Sequence, residues 1–296
     1  MSKKQGNDGH IHDNMTQAAH LAGNVPGLLL QAEKIAHTVM RGVHGRRRVG
    51  QGETFWQFRE YQPGDSTRDI DWRQTGKRDD VFVRQLEWEA SQTVWLYRDA
   101  SESMMYQSSP KLPTKKDYAE VLMLALSMII LDGGEQVSLL GTTLAPQAHA
   151  GAAQRLHDYL PTQKEFDTPG RPIASRSNMI LISDFYFTPD RVRNFCAPLA
   201  EKEVRGLLVQ ITDPAEETLP FSGRVKFHDI ENMSGATVTV EQVDAVRDEY
   251  LQKFAAHRTA LDDMAKRLGW RFINATTADK PEAVLARIYD LLSAKG

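Results

Sequence analysis

The 296-residue chain contains one cysteine, Cys196, so it has no internal disulfide and no cysteine-based zinc site. In its helix-like context Cys196 reads as a small buried hydrophobe. Long apolar runs are missing too: the best candidate, residues 121–131, is only 11 residues long and too short to span a bilayer. Charge of one sign is not in excess. With 36 Lys+Arg, 39 Asp+Glu and a net charge of −3, the chain lacks the basic footprint expected of a nucleic-acid protein. There is no Gly-x-x-x-x-Gly-Lys-Ser/Thr loop, so the chain is not expected to hydrolyse ATP itself, and no Gly-x-Ser-x-Gly elbow for a serine hydrolase. The nine histidines are scattered, and the His10-x-His12 pair sits in a polar stretch where solvation is the simpler reading. Residues 1–25 lack an apolar signal core and read as a disordered tail. Together with the cysteine usage, this favours the cytoplasm and no membrane span.

At 41% hydrophobic, the chain has enough apolar material for a sizeable core. Its organising stretch is Val94-Trp-Leu-Tyr-Arg-Asp-Ala-Ser-Glu-Ser-Met104, an apolar, β-prone run ending abruptly in Asp99, with Ser101 and Ser103 at alternate positions. A second run, Met179-Ile-Leu-Ile-Ser-Asp184, ends in the same way. Strand tips at the carboxyl edge of an α/β sheet collect ligands and ions. Asp99, Ser101, Ser103 and Asp184 would suit a hard cation, Mg²⁺ or Mn²⁺, in an oxygen shell completed by water. The competing reading makes the two aspartates helix N-caps and the serines ordinary turn residues. Arg98 adds a charge beside Asp99, although neighbours in a strand face opposite ways.

In chain order, a helix is expected over residues 27–40, with Leu28, Leu29, Ile35 and Val39 partly on one face. The basic run Arg41-Gly-Val-His-Gly-Arg-Arg-Arg48 reads as a solvated loop in preference to a phosphate contact. Trp56, Trp72, Trp88 and Trp95 put four of the five tryptophans within 40 residues, the first three of them among the interleaved charges of residues 49–92. From Arg59 to Arg84 there are six bases and six acids, a balance that reads as an ion-paired packed surface, since a phosphate-binding strip would be lopsided. With turn signals at Pro63-Gly64-Asp65 and Arg78-Asp79-Asp80 and alternation from Val81 to Trp88, this segment is expected to be a small β-rich subdomain. Beyond it the pattern turns α/β: helices over 117–131, 150–160, 189–204, 241–268 and 281–293, and strands over 137–141, 179–183, 207–211 and 270–274. Residues 214–233 read as irregular, with strands at 225–230 and 237–240 placed to form a hairpin. Strands alternating with helices imply a mainly parallel sheet with helices on both faces. The division is residues 1–25 as tail, 26–92 as helix plus β-rich segment, and 93–296 as the α/β domain.

Gly50-Gln-Gly-Glu-Thr-Phe55, Arg59-Glu-Tyr-Gln-Pro-Gly-Asp65, Arg68-Asp-Ile-Asp-Trp72, Val83-Arg84 and the Asp99-x-Ser-x-Ser-Met104 turn resemble the bacterial domain-of-unknown-function family fifty-eight. That family is similar to von Willebrand factor A domains and is associated with MoxR-type AAA+ ATPases. The resemblance implies a three-layer von Willebrand factor A-like α/β fold. It implies a metal-ion-dependent adhesion site (MIDAS) with Asp99, Ser101 and Ser103 as first-loop ligands and Asp184 as third-loop acid. The second-loop threonine is not fixed: Thr142, Thr143, Thr162 and Thr168 are candidates, and residues 161–178 are short for the usual loop and helix. Many relatives carry two N-terminal membrane helices, whereas no such helices are read here, which suggests a cytoplasmic member.

The expected function is a non-enzymatic protein-interaction module working with a MoxR-type AAA+ ATPase in chaperone-like assembly or maturation of an unidentified client. An acidic partner side chain would be taken at a Mg²⁺-dependent edge. Arg59, Glu60, Asp65, Arg68, Asp71 and Trp72 would form a docking surface or a structural support. The alternatives are a Mg²⁺-dependent hydrolase or phosphatase, for which no clear nucleophile or base is present, and a metal-free structural scaffold.

Overall fold

The computed structural model describes residues 27–43, 54–61, 70–76, 81–87, 92–149, 151–228 and 237–293. They fall into two compact units, the segment Arg48–Ser91 and the remainder of the chain. In the smaller unit, β1 (Thr54–Glu60) pairs antiparallel with β2 (Phe82–Glu87), with a register shift between Phe55 and Gln57, and α2 (Trp72–Thr75) is a single short turn. Among the described residues of this segment, the β structure is this antiparallel pair together with a bridge between Ile70 and Val83. Its two turn signals, at 63–65 and 78–80, lie outside the described residues.

The larger unit is an α/β sandwich. Five strands, β3 (Thr93–Arg98), β4 (Gln136–Leu139), β5 (Asn178–Ser183), β6 (Arg205–Thr212) and β9 (Arg271–Thr276), form a sheet of order β4-β3-β5-β6-β9 in which every pairing is parallel. Parallel strands buried on both faces are apolar throughout, and β3, β5 and β6 are buried from their second residue onward. The period of two then sorts their side chains. Val94, Leu96, Ile180, Ile182, Val209 and Ile211 enter one core with α1 (Gly27–Val43), α3 (Lys115–Asp132), α4 (Ala152–Tyr159) and α8 (Pro281–Ser293). Trp95, Tyr97, Met179, Leu181 and Leu208 enter the opposite core with α5 (Pro189–Glu201) and α7 (Val243–Arg267). Each fully buried Leu or Ile contributes about 1.5–3 kcal/mol, which is what holds the three layers together.

Helix α1 was grouped by sequence with the β-rich segment. Its face of Leu29, Ala32, Ile35, Ala36 and Val39 instead packs into the α/β core, so the division at residue 92 separates the units only on the carboxyl side of that helix. Two further boundaries differ. Residues 214–218, expected to be irregular, form the short helix α6 (Pro214–Thr218), and α5 stops at Glu201, three residues after an internal Pro198. The hairpin of β7 (Val225–His228) and β8 (Thr237–Val240) pairs antiparallel as expected.

The connection after β3 runs through α3 to β4 on one side, whereas the connection after β5 runs through α5 to β6 on the other. The strand order therefore reverses between β3 and β5, and the crevice outside their carboxyl ends is where ligands bind in such sheets.

Candidate functional site

Asp99 and Asp184 each follow the last residue of one of these two strands, and the strand register brings their loops together: the Asp99 N–H donates to Ile182 O at 2.9 Å. Both carboxylates are buried. Asp99 Oδ1 accepts from the Ser101 N–H at 2.8 Å and its Oδ2 from the Ser183 hydroxyl at 2.5 Å. The Ser101 and Ser103 hydroxyls lie 3.2 Å apart, and Ser103 Oγ donates to Asp184 Oδ2 at 2.7 Å. All four residues read from the sequence are joined in one hydrogen-bonded chain. A short 3-10 turn, Glu102–Met105, sets this geometry by burying Met104 in the core while keeping both serines half-buried above it.

The loops are braced from behind. Ser183 Oγ also accepts from the Phe185 N–H at 2.8 Å, holding Phe185 at φ 56°, a left-handed conformation that β-carbon-bearing residues adopt only under constraint. Asp184 Oδ1 accepts from the Tyr186 N–H at 3.1 Å, and the Asp184 carbonyl accepts from Gln210 Nε2 at 3.0 Å. Arg258 of α7 donates to Gln210 Oε1 at 2.9 Å and pairs with Glu217, and His257 reaches Phe185 O at 2.8 Å.

Sequence reasoning missed the charged half of the site. Lys115, the first residue of α3, is fully buried, and its Nζ donates to Asp184 Oδ2 at 2.9 Å and to Glu216 Oε1 at 2.7 Å. Glu216 belongs to a capping box in which Asp213 accepts from Ala215 N–H while Glu216 Oε2 accepts from Asp213 N–H. The pattern Asp213-Pro-Ala-Glu216 carries the spacing of that box and was a usable signal. Burial holds the Asp99 carboxyl above the usual range, against the lowering effect of its bonds from Ser183 and Ser101. Burial likewise raises Glu216, opposed by Lys115. The edge gathers the carboxyl groups of Asp99, Asp184 and Glu216 around the ammonium of Lys115, so several oxygen donors face one cationic group.

Cis ligands of an octahedral Mg²⁺, each at about 2.0–2.1 Å from it, sit about 3 Å apart. The 3.2 Å between Ser101 Oγ and Ser103 Oγ and the 2.7 Å from Ser103 Oγ to Asp184 Oδ2 match that spacing, so the donor set fits a hard divalent cation. Among the described residues no three His, Cys, Asp or Glu side chains form a metal cluster, so such a cation would depend on the two hydroxyls as well as the carboxylates. Of the threonine candidates, Thr142 gives its buried hydroxyl to Leu139 O and Thr162 gives its own to Tyr159 O.

The second set of predicted residues lies in the smaller unit. Trp72 is 68% exposed and Glu60 is exposed. Asp71 is buried and its Oδ1 accepts from the Arg73 N–H at 3.0 Å, which is the bond of a residue anchoring the start of α2. Arg59 contributes backbone to β1, and Asp65 and Arg68 lie outside the described residues. Arg98 faces away from Asp99 into the α1/α3 side, 3.7 Å from Glu120. A separate open groove of about 760 Å³ beside α5, lined by Arg171, Arg191, Phe195 and Lys202, contains none of the predicted site residues.

No helix of the described residues is long and apolar enough to cross a membrane. Uncharacterized proteins of Mycobacterium bovis and Mycobacterium tuberculosis are 27% identical over 256 residues, covering 80% of this chain and 79% of theirs. Among solved structures, an aerotolerance-related membrane protein from Bacteroides fragilis aligns with a TM-score of 0.43 at 14% identity, over 68% of this chain and 98% of that one. The conserved hypothetical protein BatB from Bacteroides thetaiotaomicron aligns with a TM-score of 0.42 at 12% identity, over 69% and 100%. Residues 57–260, which include most of the smaller unit, both aspartate loops and most of α7, match the model of the family described as "Protein of unknown function DUF58", and the chain belongs to that family.

Proposed function

We propose that the chain is a non-enzymatic protein-interaction module whose docking site is the carboxyl edge between β3 and β5. The observation that carries this reading is the unbroken Asp99–Ser101–Ser103–Asp184 chain at the point where the strand order reverses. Ser101, Ser103, Asp99 and Asp184 would hold Mg²⁺ or Mn²⁺. A bound ion there supplies a Lewis-acidic position for an acidic side chain of a partner. The protein's own contribution is to fix the hydroxyls through the Met104 anchor and to orient both carboxyl groups through their hydrogen bonds. Tyr186, 39% exposed, and Met105, 48% exposed, offer apolar surface beside it.

The partner in this proposal is a MoxR-type AAA+ ATPase in the cytoplasm, on the strength of the family resemblance. It would provide the energy for assembly or maturation of a client. Trp72 and Glu60 offer a second contact surface on the hairpin unit. Affinity purification under native conditions with Mg²⁺ tests this. Recovery of an AAA+ ATPase that is lost with EDTA or in Asp99→Ala supports the proposal, and failure to recover any ATPase contradicts it. One observation favours a metal-free scaffold as a second reading: the Lys115 ammonium already sits on Asp184 Oδ2.

A further inference from the structure

Lys115 stands where helix electrostatics and burial both disfavour it. A lysine in the first turn faces the positive end of the helix dipole, and a buried ammonium is tolerated only when carboxylates pair with it. Helix α3 has one acid in its first turn, Asp117, whose N–H is already taken by the Thr114 cap. The partners come from elsewhere: Asp184 after β5, and Glu216 in α6, with the Tyr186 ring centre 4.7 Å from Nζ. The oxygen that Lys115 holds, Asp184 Oδ2, is the same one that accepts from Ser103. A divalent ion on the serine hydroxyls would meet a positive charge already resident on its acidic neighbour.

We infer that Lys115 is a built-in competitor cation that sets the divalent-ion affinity of the edge, with Glu216 controlling how strongly it competes. The inference rests on the edge being a cation site. Like charges a few ångströms apart repel strongly in a water-poor setting where salt screens poorly. Removing the ammonium relieves that repulsion and releases Asp184 Oδ2 to the ion. Glu216 acts in the opposite sense. Its carboxylate shares the ammonium, so neutralising it leaves the lysine charge to bear on Asp184 alone. A glutamine there retains an oxygen to accept from the Asp213 N–H, as Glu216 Oε2 does at 2.7 Å, and so preserves the cap.

The test is calorimetric titration of Mn²⁺ into the full chain, into Lys115→Met and into Glu216→Gln, with circular dichroism confirming that each is folded. Lys115→Met is expected to bind Mn²⁺ at least about ten-fold more tightly than the parent, and Glu216→Gln more weakly. A lysine that merely supports the loops would give weaker or unchanged binding in Lys115→Met, and that result overturns the inference. Should Lys115→Met fail to fold, Lys115→Gln takes its place: tighter binding supports competition, and equal or weaker binding overturns it. Equal affinity in all three proteins refutes the role of Lys115 and leaves the cation site standing. No binding in any of them refutes the cation site, and the inference with it.

Discussion

Replacing Ser183 by alanine removes one hydroxyl that serves two buried groups at once. It donates to Asp99 Oδ2 at 2.5 Å and accepts from the Phe185 N–H at 2.8 Å, and the residue is fully buried. Alanine would leave a carboxylate oxygen and a backbone N–H without their partner, each costing about 1–3 kcal/mol, so the expected loss is about 2–6 kcal/mol. In a unit of this size that corresponds to a Tm lower by roughly 4–24 °C, at about 2–4 °C per kcal/mol. The pH dependence follows from Asp99. Its carboxyl is already raised by burial and the Ser183 bond opposes that rise, so the variant raises it further. A raised carboxyl stabilises the fold below its ordinary value of about 3.9 and loses that contribution as pH rises through the folded value. The gap between variant and parent should therefore widen toward neutral pH and narrow once Asp99 is protonated. Urea unfolding followed by circular dichroism across a pH series measures it. A loss under about 0.5 kcal/mol, or a gap independent of pH, would refute the assigned role of Ser183.

Three other outcomes are expected. Gly206→Ala would place a methyl 1.8 Å from Trp270 Cε3, and because Trp270 is buried with Nε1 bonded to Val204 O, the change should cost about 1–3 kcal/mol or more in urea unfolding. Phe166→Ala should cost about 3–5 kcal/mol by the same assay, since the ring is buried among Tyr97, Phe187 and Phe195. Mn²⁺ affinity measured calorimetrically should fall as pH is lowered from neutral toward the raised value of Asp99, because protons compete for the same oxygens; a flat profile would remove Asp99 from the binding set.

The alternation of apolar runs with helical patterns was enough to place the five parallel strands, because strands buried on both faces must be apolar throughout. The abrupt change from such a run to Asp-x-Ser-x-Ser marked the strand tip, and the second run marked its neighbour. What stayed hidden is the part that depends on distant pairing. Lys115 and Glu216 are 101 residues apart and meet only through the packing of α6 against the edge. In sequence Lys115 lies just before the helix expected over 117–131 and Glu216 in a stretch expected to be irregular, although the capping spacing around Asp213 was visible. Helix α1 was assigned its apolar face correctly but not its partner, since amphipathicity names a buried side and not what buries it. Asp71 was read as part of a docking surface or a structural support, and its buried carboxylate, which anchors the backbone at the start of α2, acts in the second way.

The edge between β3 and β5 is tested most directly by titrating Mg²⁺ and Mn²⁺ into the purified chain beside Asp99→Ala, with heat as the readout. Saturable binding in the parent that vanishes in the variant is the result predicted by the Asp99–Ser101–Ser103–Asp184 site. No binding in the parent, or equal binding in both, would contradict it and leave the two aspartates as caps of their strand ends.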